Sequence, residues 1–142
     1  MLKIAHRGNM RGPHERENEP NYIDEALSQC HVEIDLRMRD GQLYLGHDHP
    51  TYHIDIHFLV DRLNRLWIHC KDIDSLDFCM THLPQANYFW HQTDAYTITS
   101  KGYIWCYPGS EIPRHGLKYI CVMPEHGRLD DHAYGVCSDY IL

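Results

Sequence analysis

Glu33 and Asp35 stand two residues apart in HVEIDLRMR, so both point to one side if this alternating stretch is a strand. Two carboxylates on a buried face are costly unless a cation or an Arg/Lys lies between them. The bland reading is a solvated face opposite Val32, Ile34 and Leu36, and alternation alone does not choose between the two. Other chemistry-bearing residues fall at comparable places. His6 and Arg7 close the apolar run LKIA, His47-Asp48 follows YLG, and His69 and Lys71 alternate in LWIHCK. A histidine exchanges protons near neutral pH, while Arg and Lys offer a planar fork and a point charge to phosphate oxygens. Each pair alone reads as a turn or a surface. Successive strand-like runs with polar pairs at or near their C-terminal ends point instead to one shared site, because parallel α/β barrels build active sites there.

The elements that must position these residues follow from the hydrophobic pattern. A strand over 2–6 leads into a charged loop, and a helix near 20–29 carries Pro20 in its first turn. Alternation over 32–37 predicts a strand, Asp40-Gly41 a hairpin turn, and 43–45 a second short strand. A helix over 54–64, a strand over 66–70 and a helix over 73–82 come next. The runs NYFWHQ, AYTIT, GYIWCYP, KYICVMPE and YGVCSDY then read as strands with no room for helices between them. Strand–helix alternation in the first two thirds predicts a parallel sheet. Ser100-Lys101 is too short for a parallel crossover, so AYTIT and GYIWCYP are expected to form a hairpin or a distorted barrel segment. Setting aside 43–45, eight barrel strands are expected at 2–6, 31–37, 66–70, 87–91, 95–99, 102–107, 117–123 and 135–139.

Composition bounds the function. A chain of 142 residues with 43% apolar content suits one domain spanning 1–142. A formal net charge of -7 argues against a nucleic-acid partner. The six cysteines form no C-x-x-C pair and read as reduced, buried thiols of a cytoplasmic protein, an expectation shared by the lack of a leader pattern. No apolar run approaches the ~20 residues of a membrane span. Thirteen histidines hint at metal or acid–base chemistry. His49, His53 and His57 are four apart, but Pro50 breaks a common helical face and they read as solvated. His91, Trp105 and Tyr107 are either pocket walls or core, and Glu125 falls at a strand end.

IAHRG, RENEPNYIDEAL and VEIDLRMRDGQLYLGHD together resemble the opening of the glycerophosphodiester phosphodiesterase family, in the phospholipase C-like superfamily. That family reads HRG, then E-N before the first helix, then E-x-D, D-G and H-D. GVCSDYIL is similar to its closing strand. The specific match covers about residues 4–48. The resemblance implies a (β/α)8 barrel and phosphodiester hydrolysis in lipid metabolism. It implies His6 and His47 as the acid–base pair, Glu33 and Asp35 as ligands of a divalent metal, and Arg7 as a phosphate contact. Glu17 of E-N would support the site, with Asp48, His91 and Glu125 as further supporting candidates.

Two departures qualify what the resemblance implies. Where the family has E-x-K on its third strand, this chain has His69 and Lys71. Lys71 would bind phosphate. The expected ion is Mg²⁺ or Ca²⁺, with Mn²⁺ or Zn²⁺ as the second choice if His69 completes the metal site; alternatively His69 binds phosphate and the metal is weak or absent. The chain is also far below the ~250 residues of a typical (β/α)8 barrel. The expected fold is therefore α/β, a reduced or incomplete (β/α)8 TIM-type barrel lacking helices in its C-terminal half. Bare strands over about 86–124 would be covered by a second copy in a homodimer, or by the loops 108–117 and 124–134 folding back. The expected function is metal-dependent hydrolysis of a small-molecule phosphodiester. A shrunken barrel that binds phosphate without turnover is the alternative, and the cysteine spacing gives little support to a structural zinc or disulfide domain.

Overall fold

The computed structural model describes residues 1–111, 113 and 118–142. Its strands are β1 (Leu2–His6), β2 (His31–Arg39), β3 (Gln42–Leu45), β4 (Tyr52–Ile54), β5 (Leu66–Cys70), β6 (Asn87–Trp90), β7 (Tyr96–Ile98), β8 (Ile104–Cys106), β9 (Tyr119–Val122) and β10 (Gly135–Ser138). Its α-helices are α1 (Pro20–Leu27), α2 (Ile56–Arg62) and α3 (Ile73–His82). Short 3₁₀ turns cover Leu63–Arg65 and Pro124–His126.

All ten strands join one sheet. Neighbours run in parallel from β6 through β5, β2, β1, β10 and β9 to β8. β2 is long enough to branch. Its residues 32–36 pair in parallel with β5, and 36–39 pair antiparallel with β3 across the Asp40-Gly41 turn. β4 adds antiparallel to β3, and β7 antiparallel to β8, as the short Ser100-Lys101 connection requires.

The expected (β/α)8 barrel is thus corrected. The sheet is mixed and curls into a half-barrel, and α-helices alternate with strands only as far as His82 among the described residues. The reason is length. Five strands and their connections share the last sixty residues, and a crossover helix needs a dozen or more residues per connection. No ladder closes β6 onto β7 among the described residues. Isolated bonds stand in for it: Tyr88 N–H donates to Ser100 Oγ (2.9 Å), Ser100 N–H to Tyr88 O (2.8 Å) and Thr97 Oγ1 to Trp90 O (2.9 Å). The expected strands are all present within a few residues. The expected helix over 54–64 starts later because 52–54 forms β4, and Leu117 of the strand expected at 117–123 lies outside the described residues.

The curl gives the sheet two cores. On its convex side Ile23, Ala26 and Leu27 of α1, Leu59 of α2 and Cys79 of α3 pack on Val32, Ile34, Leu36, Ile68 and Cys70. α2 and α3 begin at Asp55 and Asp72, whose carboxylates accept from Phe58 N–H (3.2 Å) and Ser75 N–H (2.8 Å). On the concave side Ile4, Trp67, Phe89, Trp105, Ile120, Val122 and Cys137 fill the interior. Period-two alternation therefore sends Ile4 and His6, then Glu33 and Asp35, then Trp67 and His69, toward this interior. The apolar member of most strands lies deep, and the polar member sits nearer the C-terminal end.

On the outer side of β8 and β9, Cys106 and Tyr119 are buried against Ala133. Tyr119 Oη donates to Asp130, and Cys121 Sγ lies 3.1 Å from Arg128 O. The chain's own segment around 128–133 thus covers part of the surface expected to need a second copy. Of the other expected cover, 108–117, residues 112 and 114–117 lie outside the described residues. All six cysteines are free. No helix among the described residues is long and apolar enough to cross a membrane.

Candidate functional site at the C-terminal end of the sheet

β1 ends at His6 because the backbone turns left-handed there. Arg7 has φ +54° and Gly8 φ +89°. Arg7 N–H still donates to Glu33 O (3.0 Å), and Asn18 N–H returns to Arg7 O (3.1 Å). Asn18 (φ +65°) and Met123 (φ +49°) are also left-handed, so three of the four such non-glycine residues among the described residues border one site. Such conformations cost free energy and persist where surroundings over-determine them.

A cavity of about 340 Å³ opens here, lined by His6, Arg7, Glu33, His47, His69, Lys71, His91, Gln92, Trp105, Tyr107, Val122 and Met123. Sequence reasoning named His6, Arg7, Glu33, His47, His69, Lys71 and His91 for one site, and all seven line it. Asp35 lies against it, 1% exposed, with Oδ1 3.6 Å from His69 Nδ1. One ligand atom from each of Glu33, Asp35 and His69 lies within 4.8 Å of the others.

The two carboxylates are held differently. Asp35 Oδ2 accepts from Asn18 Nδ2 (2.9 Å) and lies 3.1 Å from Arg7 Nε, which is not aligned for a hydrogen bond. Asp35 N–H donates in turn to Asn18 Oδ1 (3.0 Å). Glu33, 2% exposed, has its Oε2 3.5 Å from His6 Nε2, while its Oε1 is buried without a partner. Burial, then the Asp35 charge, push the Glu33 carboxyl up to about 8. Burial lowers the His69 imidazole to about 4, against the pull of Asp35, so His69 is neutral at pH 7. Its Nε2 is 3.1 Å from His91 O, and its ring stacks on Phe89 at 4.7 Å.

His6 is set by a residue that sequence reasoning missed. Asp139, just beyond β10, lies with Oδ1 2.8 Å from His6 Nδ1. A carboxylate accepts, so Nδ1 carries the proton and Nε2 turns to Glu33 and the cavity. Burial lowers the His6 pKa, but the Asp139 hydrogen bond and the Glu33 charge outweigh it and the net shift is upward. Asn9, fully buried, donates through Nδ2 to Asp139 Oδ1 (2.9 Å) and Glu17 Oε1 (2.9 Å), and accepts from Tyr22 Oη (3.1 Å). Glu17 Oε2 accepts from Arg7 Nη1 (3.0 Å). Asp139 stood in the SD of the closing strand and Asn18 in E-N, so their signals were present. Asn9 had none beyond its place after HRG.

The supporting candidates now have separate places. Glu17 orients Arg7 and is bonded to Asn9. Glu125 accepts from Ser138 Oγ (2.8 Å) and Asp139 N–H (3.0 Å), so it braces Asp139 and does not line the cavity. Asp48 Oδ1 is 2.8 Å from His47 Nδ1, and this pair lies at the exposed rim. Arg37 fastens that rim, donating to Gly46 O (2.9 Å) and to His47 O. His91 stacks on Tyr107 at 3.8 Å and, with Trp105, gives the cavity an aromatic wall. His49, His53 and His57 are exposed and separate from the site.

A divalent cation fits this donor set. Glu33 brings an orphaned buried oxygen, Asp35 a second oxygen and His69 a neutral imidazole. No family model matches the chain, and neither the curated proteins nor the solved structures contain a match. The likeness to glycerophosphodiester phosphodiesterases therefore rests on the motifs themselves.

Proposed function

We propose that the chain is a metal-dependent phosphodiesterase of the glycerophosphodiester phosphodiesterase type, cleaving a small phosphodiester by histidine acid–base catalysis. One observation carries the reading: two histidines, two cations and a carboxylate–imidazole cluster surround a single cavity. A phosphodiester repels nucleophiles, so its oxygens need neutralising. Arg7 and Lys71 supply positive charge to them, Arg7 being oriented by Glu17. A divalent ion held by Glu33, Asp35 and His69 supplies further charge neutralisation when bound. His47, its Nδ1 proton engaged by Asp48, accepts the proton of the attacking hydroxyl or water at Nε2. His6, held protonated by Asp139, gives its Nε2 proton to the leaving alkoxide. The aromatic wall of Trp105 and Tyr107 receives the alcohol.

A binding module without turnover is favoured by one feature, the 39% exposure of the His47 side chain at the rim. Incubating the protein with glycerophosphodiesters and Mg²⁺, Ca²⁺, Mn²⁺ or Zn²⁺ separates the readings. Release of an alcohol and a phosphomonoester or cyclic phosphate supports the enzyme, and saturable binding without product supports the module. Assembly belongs to the same proposal. Among the described residues of 86–124, Ile98, 66% exposed, and Tyr96 on β7 are the exposed apolar side chains that a second copy would cover. Light scattering at micromolar concentration tests this, a mass near the 16.8 kDa of one chain refuting the homodimer.

A further inference from the structure

The three residues of the carboxylate–imidazole cluster share one property. Each has one polar atom committed and one left over. Glu33 Oε2 faces His6 Nε2, and Oε1 is unpartnered in a side chain 2% exposed. Asp35 Oδ2 is taken by Asn18 and Arg7, and Oδ1 is turned to His69. His69 Nε2 meets the His91 carbonyl at 3.1 Å. A carbonyl only accepts, so Nε2 must carry the ring proton and Nδ1 presents a lone pair. That lone pair lies 3.6 Å from Asp35 Oδ1, so two acceptors face each other with no proton between them. The separation is close to the ~3–3.4 Å expected between neighbouring ligands each ~2.1 Å from one ion.

We infer that Glu33 Oε1, Asp35 Oδ1 and His69 Nδ1 form an N,O,O site that takes a divalent ion of the Mn²⁺ or Zn²⁺ class ahead of Ca²⁺, with the His91 carbonyl selecting Nδ1 as the ligand atom. This deepens, and rests on, the metal-assisted reading of the cavity. Ca²⁺ requires six to eight oxygens. The nearby carboxylates that could add them are engaged: Glu17 with Arg7 and Asn9, and Asp139 with His6 and Asn9. An imidazole nitrogen favours borderline transition ions, and a hydrogen bond to its far nitrogen is the usual way a protein fixes such a ligand.

The test is binding, measured apart from turnover. The full chain, stripped with chelator, is titrated calorimetrically with Mn²⁺ and Ca²⁺, and the His69 ring is examined by ¹⁵N–¹H correlation spectra. The expected result is one Mn²⁺ per chain, bound at least about tenfold more tightly than Ca²⁺, with His69 in its Nε2–H tautomer before the ion is added. His69→Gln should weaken Mn²⁺ about 10- to 100-fold, and His69→Glu should raise Ca²⁺ affinity relative to Mn²⁺. Ca²⁺ binding as tightly as Mn²⁺, an Nδ1–H tautomer, or unchanged Mn²⁺ affinity in folded His69→Gln overturns the inference. Should neither variant fold, the wild-type ion ratio and tautomer decide it. Tight Mn²⁺ binding without phosphodiester turnover would uphold this site and refute the catalytic reading. Turnover with preferred Ca²⁺ would do the reverse.

Discussion

Glu33 and His69 carry opposite pKa shifts, and together they predict how the stability of the ion-free protein varies with pH. The folded Glu33 carboxyl titrates at about 8 against an ordinary 4.5, so the folded state keeps a proton that the unfolded state loses between those values. Stability therefore falls as pH rises through that window. His69 behaves oppositely. Its folded value of about 4 lies below the ordinary 6.5, so stability is gained as pH rises from 4 to 6.5. Below pH 6.5 the two slopes largely cancel. Above it His69 adds only a few tenths of a kcal/mol, whereas Glu33 goes on losing about 2 kcal/mol by pH 8.5. His6, with a raised pKa, acts in the same sense as Glu33 there. Urea unfolding in chelator at pH 5.5, 6.5, 7.5 and 8.5 should show a plateau and then a decline of about 1–2 kcal/mol. Glu33→Gln should remove most of the decline. Saturating Mn²⁺ should reverse its direction, because a cation favours the ionised carboxyl. A wild-type ion-free stability that is level or rising from pH 6.5 to 8.5 would refute the reasoning, since Glu33 would then be ionised in the folded state, with His6, Arg7 and Lys71 offsetting its burial.

Other perturbations reach different parts of the site. His6→Ala and His47→Ala should each lower turnover ~10²–10⁴-fold with unchanged circular dichroism, and full activity in His47→Ala would remove His47 from the reaction. Asp139→Asn should reduce kcat more than it raises KM and move the basic limb of the pH–rate profile downward, because it withdraws the negative charge that helps hold His6 protonated. An unmoved profile would make Asp139 merely structural. Asn18→Ala should cost about 2–4 kcal/mol by urea titration, since it strips partners from both Asp35 N–H and Oδ2, and a loss under 0.5 kcal/mol would show that water replaces the amide.

The site was more legible than the fold around it, for a physical reason. Glu33, Asp35 and His69 owe their convergence to period-two alternation on adjacent strands, in register as Asp35 with His69. That pattern survives in a short chain, because a strand needs few residues to aim a side chain. A full helical shell does not fit the chain, because each crossover needs a dozen or more residues, and the hydrophobic pattern of 84–142 reads the same whether its strands are backed by helices or by loops. The cover supplied by Ala133 on Cys106 and Tyr119 carries no periodic signal, and neither does the sheet's failure to close between β6 and β7. Residues that act through others were the least visible. Asn9 shows no period and no charge, yet it ties Asp139 to Glu17 and so links the His6 imidazole to the Arg7 guanidinium. The three α-helices among the described residues, α1, α2 and α3, all back the β2–β5 side of the sheet, where both carboxylates and His69 are buried or nearly so. The half covered by loops contributes mainly the aromatic wall. Helices thus back the part of the sheet that holds buried charge to within hydrogen-bond distance, and loops cover the part that gives the cavity its shape.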